Sequence, residues 1–454
     1  MRKGLIGLVI AAAAMLGSQD PGELRALLLN RTDETHNALG IIVGLVDGTG
    51  PRFIAAGATA PGGTVSPRAD TVFEIGSITK VFTSLLLADM VERGEVKLDD
   101  PVAKFLPQTV RVPGSSGRRI TLIDLSNQVS GLPRLPDNLK PADPGDPYAD
   151  YGPAHLYEFL SGYALKRAIG EKYEYSNLGV GLLGHALALK AGVSYEEFIR
   201  RRVLEPLGMY DTAITLSEPL KRRLAEGTGP ALLPVKNWEF DALAGAGALR
   251  STASDMLKLL TAAMGLRETP FRGAFDLMLK ARHPTGVPDL SIAMGWHIWT
   301  KYGTEIVWHN GGTGGYRSFA GFDLAKKTGV VVLCNTAFDV DDIGLHALEP
   351  QWPVARYRPP IERKAVAVDE GILQRYVGVY ELGPEFSIAV TRSGGKLFIR
   401  GTGQPVFEFL AASPTEFLRT AGDVRVTFVR DLSGAVTHLV IYQDGFEREA
   451  KKIK

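Results

Sequence analysis

Cysteine is almost missing from this chain. Cys334 is the only one among 454 residues, so no internal disulfide can brace the fold. Its place after the apolar run Val330-Val331-Val332-Leu333 reads as a buried strand position rather than a reactive thiol. Charge of one sign is missing too: 51 Lys and Arg against 50 Asp and Glu leave a formal charge of +1. The basic residues are scattered rather than clustered into the positive surface that grips a phosphate backbone, and no nucleic-acid partner is expected.

Long apolar runs are confined to the start. Residues 4–16 are apolar or small behind Met1-Arg2-Lys3. That stretch is shorter than the roughly 20 residues of a membrane helix and has the charged start and short apolar core of an export signal. We read residues 1–18 as that signal, with Gly17 and Ser18 near the cleavage point, and expect a periplasmic or secreted protein with no stable membrane span. Two kinds of active-site signature are also absent. Without Gly-x-Ser-x-Gly there is no nucleophile elbow of the α/β-hydrolase kind. Without His-Glu-x-x-His or a cysteine pair, no metal site and no cofactor are expected.

What is present, 45% hydrophobic and 22% charged residues, suits a globular chain long enough for two or three domains. A short helix is expected at 24–29, then a β-hairpin from the apolar runs 40–46 and 52–55 around Asp47-Gly48-Thr49-Gly50. A helix runs from Ser77 to about Gly94, a residue suited to a C-terminal stop. Helical periodicity follows at 121–128, 154–166, 177–191, 195–207 and 252–264, with a Pro- and Asp-rich surface loop at 132–153 able to border a cleft. Strand patterns return at 292–300, 305–309, 316–322 and 329–335, before a short helix at 341–348. Strands at both ends with helices between them predict an α+β fold, an antiparallel sheet flanked by helices plus a helical subdomain.

Proline-rich residues 349–363 read as a linker. Beyond them the texture changes to short alternating strands at 376–380, 386–391, 396–400, 406–410, 416–419, 424–430, 436–442 and 446–450. Turns such as Ser393-Gly394-Gly395 and Ser433-Gly434 separate them, which predicts a small antiparallel β-barrel or sandwich. The boundaries are drawn at 19–352 for the first domain, 353–367 for the linker and 368–454 for the second domain.

The first domain carries three polar constellations, in the order Ser77-x-x-Lys80, Tyr175-Ser176-Asn177 and His309-Asn310-Gly311-Gly312-Thr313. Gly76 can turn the chain sharply, and apolar residues at 78, 81, 82, 85, 86 and 90 recur at helical spacing, placing Ser77 at a helix start. Residues three apart share a helix face, so the Lys80 amine lies beside the Ser77 hydroxyl, able to take its proton. The same spacing also reads as a helix cap followed by a surface lysine. It occurs a second time at Ser393-Gly394-Gly395-Lys396, where it reads as a hairpin turn. Tyr175 is either a structural tyrosine or a phenol whose pKa a neighbouring ammonium lowers toward working pH, fit to pass protons. Asn177 is either a helix cap or a contact to substrate or lysine. The glycines at 311–315 follow a strand and lead into another strand, which argues against a phosphate loop. They offer a substrate access to backbone N–H groups instead. His309 is either structural or catalytic.

Together, in this order, the three constellations resemble the penicillin-recognising serine hydrolases: class C β-lactamases, secreted DD-peptidases and related esterases. The resemblance extends through residues 73–87, the Leu125-Ser126-Asn127-Gln128-Val129-Ser130-Gly131-Leu132-Pro133 stretch, 175–184, Glu205-Pro206-Leu207-Gly208-Met209 and 309–334, covering roughly 35–350. Residues 368–454 resemble the lipocalin-like barrel often appended to members of that family. The resemblance implies Ser77 as the acylated nucleophile with Lys80 and Tyr175 as its proton-transfer partners. It implies Asn177, His309, Asn310, Gly311 and Thr313 as substrate contacts, and the backbone N–H groups of Ser77 and Gly312 as the oxyanion hole. His309 stands where class C β-lactamases carry a lysine, which is more like the peptidase branch, and Asn310 stands where Thr or Ser is common. The absence of Ser-Asp-Asn argues against the class A β-lactamase arrangement.

The implied activity is hydrolysis through an acyl-serine, on D-amino-acid peptides such as peptidoglycan stems. A β-lactam or a short-chain ester is the alternative small-molecule substrate on the same scaffold. A penicillin-binding sensor, acylated without turnover, is the alternative of another class. If a protonated His309 binds a substrate carboxylate, the Michaelis constant is expected to rise through about pH 6 to 7, and a flat profile would leave His309 only shaping the strand.

Overall fold

The computed structural model describes residues 20–359, 365–383, 386–419 and 424–454. The chain divides into two compact units, one built mainly from residues 37–354 and the other mainly from 355–454. The export signal expected at 1–18 lies outside the described residues, as does part of the linker, 360–364.

The larger unit is built on an eight-stranded antiparallel sheet. In chain order its strands are β1 (Gly40–Asp47), β2 (Gly50–Gly57), β3 (Arg282–Pro284), β4 (Leu290–Ala293), β5 (Trp296–Lys301), β6 (Thr304–Gly312), β7 (Arg317–Asp323) and β8 (Thr328–Cys334). Across the sheet they run β2-β1-β8-β7-β6-β5-β4-β3. The first and last strands of the sheet in chain order thus pair one strand in from its edge, and β1 and β8 are apolar along nearly their whole length because both faces are covered. Ile41, Val43, Val330 and Val332 point into a core shared with the helices Pro21–Leu29 and Asp341–Leu348. Ile42, Val331 and Leu333 point into the larger core under the helix Ala253–Ala263. Cys334 has no exposed surface, and burial pushes its thiol up to about 12, as befits a strand residue rather than a nucleophile.

The hairpin of β1 and β2, the helix Asp341–Leu348 and strands β6 to β8 lie where the sequence places them, and the α+β architecture is the expected one. Three details differ. The 292–300 run is not one strand but β4 and β5, because Gly295 adopts φ +85° and Asn127 Oδ1 accepts the Met294 N–H at 2.7 Å, fixing a tight turn inside an apolar stretch. The helix Arg272–Lys280 was not expected. The 195–207 pattern splits into a helix Tyr195–Ile199 and a wider π turn Arg200–Leu204.

Against the sheet runs the helix Thr79–Glu92, entered through a 3-10 turn Gly76–Ile78. Every residue from Thr79 to Met90 is buried, so this is a core helix covered on all sides rather than an amphipathic one. Gly76 sits at φ +48°, and a Cβ there would lie 2.7 Å from the Gly312 amide nitrogen. Only glycine lets the serine turn and the end of β6 approach so closely. Ser318 Oγ clamps the same joint by donating to the Ile75 carbonyl at 2.9 Å.

The smaller unit is a closed antiparallel barrel of eight strands, running from Gly378–Gly383 to Phe446–Lys452. The second Ser-x-x-Lys match is the expected hairpin, with Gly394 at φ +55° between Ser393 and Lys396. Tyr376, expected to begin a strand, instead ends the helix Glu370–Tyr376, because Asp369 caps it by accepting the N–H groups of Gly371 and Ile372.

Gly76→Ala is expected to lower stability by about 1–3 kcal/mol, the usual range for enforced backbone strain, and to reduce turnover by displacing the Gly312 amide. Thermal melting and steady-state rates check this together, and a variant that matches the parent in both would show that the joint yields freely.

Candidate active site

Ser77 occupies the turn that opens the central helix, where the first N–H groups lack intrahelical partners. One turn on, Lys80 Nζ lies 2.9 Å from Ser77 Oγ and donates to the Ala246 carbonyl at 2.7 Å. Lys80 has no exposed surface, so it is not the surface lysine that the spacing also allowed. Burial, with the Arg134 guanidinium acting in the same direction, holds the amine well below the ordinary lysine range. The Ala246 carbonyl belongs to the turn Ala244–Ala246, which closes on the helix Asn177–Ala191 at Gly184. A Cβ on Gly184 would stand 2.9 Å from Gly245 Cα, so this approach too requires glycine.

Tyr175 precedes that helix. Its cap is Ser176, whose Oγ accepts the Gly179 N–H at 2.8 Å, rather than Asn177. The Tyr175 phenol lies close enough to the Ser77 side chain for that group to lower its pKa against burial. Its ring centre lies 4.9 Å from Lys80 Nζ and 5.0 Å from the Arg134 guanidinium. The expectation of an acidified phenol is reversed. Burial raises the Tyr175 pKa far above the ordinary tyrosine value, against the weaker opposing effects of Ser77 and the Arg134 charge. Asn177 Nδ2 donates to the Tyr148 hydroxyl at 3.1 Å, and Asn177 Oδ1 is buried without a partner among the described residues.

The third constellation ends β6. Pairing with β5 stops at Trp308 opposite His297, while pairing with β7 continues to Gly312 opposite Arg317, so the last residues of β6 have one uncovered edge. The Thr313 N–H donates across the hairpin to the Tyr316 carbonyl at 3.1 Å. Amides alternate in direction along a strand, so the Gly312 N–H faces the uncovered edge, on the Ser77 side.

His309 is only 1% exposed and donates through Nδ1 to the Asn310 carbonyl at 2.5 Å. Its ring lies 5.1 Å from that of His297 and 6.3 Å from that of Tyr175. Burial, then the neighbouring His297 and Lys80, hold the His309 imidazole well below its usual value. A protonated His309 gripping a carboxylate is therefore disfavoured, because a cation there would be stripped of water and set beside groups that repel it. His297, 2.9 Å from the Tyr173 hydroxyl, is pushed down to about 4 for the same reason. Asn310 Nδ2 donates to the Asp341 carboxyl, which burial raises well above the usual range. Gly311, Gly312 and Thr313 line the cleft.

The cleft in front of Ser77 has a volume of about 530 Å³. The 132–153 loop borders it with Arg134, Leu135 and Tyr148, as its composition led us to expect. Trp238 meets Tyr148 edge-on at 5.4 Å, and Arg317 stands at the far wall. The Trp238 segment is pinned from below by Glu74, whose Oε1 accepts the Trp238 N–H at 3.0 Å, Asn237 Nδ2 at 2.9 Å and Arg250 Nη2 at 3.3 Å. Burial raises the Glu74 carboxyl, and the Arg250 charge opposes that. Arg134, Tyr148, Trp238, His297 and Arg317 escaped the sequence reading. Arg134 alone had a signal, following Gly131-Leu132-Pro133 in the stretch that carries the family resemblance. The others come from separate elements with no common spacing.

A hydroxyl, a buried amine of lowered pKa and a buried phenol of raised pKa, with the Gly312 amide on the same side, are the parts of a serine acyl-transfer site. Comparison with known proteins agrees: residues 26–349 match the family described as Beta-lactamase, and residues 362–453 match a "Domain of unknown function (DUF3471)". The chain belongs to the β-lactamase family, the one expected from the three motifs. It is 36% identical over 228 residues to the D-alanyl-D-alanine-carboxypeptidase/endopeptidase AmpH of Escherichia coli (strain K12), a match covering 49% of this chain and 56% of that protein. This chain thus spans little more than half the length of that relative. It is 26% identical over 418 residues to Penicillin-binding protein 4* of Bacillus subtilis (strain 168), covering 85% of this chain and 89% of the relative. Among solved structures, a β-lactamase/D-alanine carboxypeptidase from Yersinia pestis, complexed with citrate, aligns with a TM-score of 0.57 at 25% identity over 69% of this chain and 93% of that one.

Arg134→Gln removes a positive charge that disfavours the protonated Lys80, so the Lys80 pKa rises and the acidic limb of the kcat/KM profile is expected to move to higher pH. A limb that stays in place would detach Arg134 from the amine. The Michaelis constant, in contrast, is expected to stay flat across about pH 6 to 7, where His309 is neutral throughout. A rise in that window would restore the protonated imidazole to substrate binding.

Proposed function

We propose that this protein hydrolyses D-amino-acid peptides through an acyl-Ser77 intermediate. The observation that carries this reading is the 2.9 Å approach of Ser77 Oγ to an amine fully buried in the core, whose pKa burial holds well below the ordinary lysine value. Ser77 Oγ attacks the substrate carbonyl carbon as its proton passes to Lys80 Nζ, and the carbonyl oxygen takes up negative charge between the amides of Ser77 and Gly312. When the tetrahedral adduct collapses, the C–N bond breaks. The leaving amine takes a proton from the Tyr175 phenol, which Lys80 refills. A water then adds to the acyl carbon, losing its proton to the same pair, and the ester bond breaks as that proton returns to Ser77 Oγ.

The substrate class rests on the cleft walls. Arg134 and Arg317 put two guanidiniums where a peptide carboxylate can be held, the part that His309 cannot play while neutral. Asn177 Oδ1 is an acceptor for a substrate N–H. The name of the E. coli relative, a D-alanyl-D-alanine-carboxypeptidase/endopeptidase, supports the same class. We assign residues 19–352 as the catalytic domain, 353–367 as a linker and 368–454 as a separate barrel domain, and residues 1–18 as a signal for export. Among the described residues no single helix is long and apolar enough to cross a membrane.

Ser77→Ala is expected to abolish turnover, and Lys80→Ala or Tyr175→Phe to cost on the order of hundredfold or more. Rates on a D-Ala-D-Ala peptide, a chromogenic cephalosporin and a p-nitrophenyl ester, measured side by side, are expected to give the peptide the highest kcat/KM. Retained hydrolysis by Ser77→Ala would overturn the mechanism. Preference for the cephalosporin or the ester would overturn the substrate class alone, and a stable penicillin adduct on Ser77 without release would make the protein a sensor.

A further inference from the structure

Tyr175 sits in a segment that no regular element holds. Residues 173–176 belong to neither helix nor strand, and the helix Asn177–Ala191 begins only after them. A phenol that must deliver a proton to one atom needs its backbone fixed, since a misplacement of about 1 Å can cost on the order of hundredfold in rate.

Gln128 supplies that support. Its backbone carbonyl accepts the Glu174 N–H at 2.8 Å, and its side-chain Oε1 accepts the Ser176 N–H at 2.7 Å. Amides two residues apart in an extended chain point the same way, so one residue grips the backbone on both sides of Tyr175 as a neighbouring strand would. An N–H can only donate, so the oxygen of the Gln128 amide and not its nitrogen must face Ser176. Gln128 is 2% exposed, which keeps water from competing for the grip.

The backbone at Gln128 argues that the side chain is the reason for the residue. Its φ is +61°, in the left-handed region. It follows the short helix Leu122–Ser126, where the Val129 N–H donates to the Asp124 carbonyl at 2.9 Å and the Gln128 N–H to the Leu125 carbonyl at 3.3 Å. Those paired bonds make a helix stop that usually carries glycine. Glycine takes this conformation freely, whereas glutamine is strained in it. As a helix stop alone, glutamine is the poorer residue. What it has and glycine lacks is the oxygen that reaches Ser176.

The same bend is tied to the nucleophile. Ser126 Oγ lies 2.8 Å from Ser84 Oγ, one turn beyond Lys80 on the Thr79–Glu92 helix. Next to it, Asn127 holds the Met294 turn that leads into β5 and His297. Gln128 thus fixes the Tyr175 segment relative to the helix that carries Lys80.

We propose that Gln128 is a positioning residue for the reaction, holding Tyr175 against Ser77 and Lys80 through the Ser176 N–H. The inference rests on the acyl-transfer reading of Tyr175.

Gln128→Asn and Gln128→Glu test it, each checked for folding by thermal melting. Asparagine tolerates the left-handed backbone but falls one methylene short of Ser176. Its melting temperature is expected to stay close to the parent's while kcat/KM on a D-Ala-D-Ala peptide falls at least about tenfold. Glutamate keeps the length and an acceptor oxygen, and is expected to retain most of the rate. Hydrogen exchange over residues 173–177 needs no substrate and is expected to quicken in Gln128→Asn but not in Gln128→Glu. If Gln128→Asn does not fold, Gln128→Met, of similar length but with no acceptor oxygen, gives the same comparison. Added to Tyr175→Phe, the loss of the Gln128 oxygen is expected to cost little more, because the group it positions is already gone. On a p-nitrophenyl ester, whose phenolate leaves without a proton, the loss is expected to be smaller than on the peptide. Unchanged exchange overturns the positioning role, as does a loss that multiplies with that of Tyr175→Phe or is equal on peptide and ester. A Tyr175→Phe chain as fast as its parent overturns instead the reading of the phenol on which the inference rests.

Discussion

The larger unit depends on burying a lysine. Lys80 sits in the first turn of a helix covered on all sides, and the cost of keeping an ammonium there without water holds its pKa well below the ordinary lysine value. The same enclosure acts on its neighbours. It raises the Tyr175 phenol and lowers the imidazoles of His297 and His309, so base and acid groups alike stand uncharged around Ser77. A site of this kind needs no partner ion for its amine at rest, and the hydrogen bonds of Lys80 Nζ go to the Ser77 hydroxyl and the Ala246 carbonyl.

What holds that enclosure shut is a set of close backbone approaches and one buried ion pair. Gly76 lets the serine turn meet the end of β6, and Gly184 lets the Ala244–Ala246 turn reach Lys80. Glu74, three residues before the nucleophile, joins Arg250 and hangs the Trp238 segment from the short ribbon of Val72–Glu74 with Arg250–Thr252. Removing the Arg250 charge would strand Glu74 in the interior, whereas Arg250 also pairs with Glu239 at 2.8 Å, so the pair fixes one arrangement of the cleft wall rather than adding much net stability.

Much of this was legible in the residues. The hairpin of β1 and β2, the helix from Ser77, the helix Asn177–Ala191 and all eight barrel strands follow from periodicity and glycine placement, because those elements satisfy local rules and tertiary packing at once. The places where reading failed are places where a contact from far along the chain decides. Asn127 fixes the Met294 turn from 167 residues away and splits one expected strand into two. Asp369 draws Tyr376 into a helix that the strand pattern concealed.

The residues of the site divide the same way. Ser77 and Lys80 are three apart on one helix, and helical geometry alone brings them together. Tyr175, His309 and the glycines of β6 could be named from their order along the chain, because order survives in the sequence. Their protonation states could not, because desolvation is a property of how completely other segments close over a group, and no stretch of sequence contains its own burial. The sequence by itself therefore determined the family, the two-unit plan and the chemical types at the site. Only the tertiary structure decided that burial lowers the lysine pKa and raises that of the phenol, that His309 lies behind the cleft instead of in it, and that Arg134, Trp238 and Arg317 line the cleft in front of Ser77.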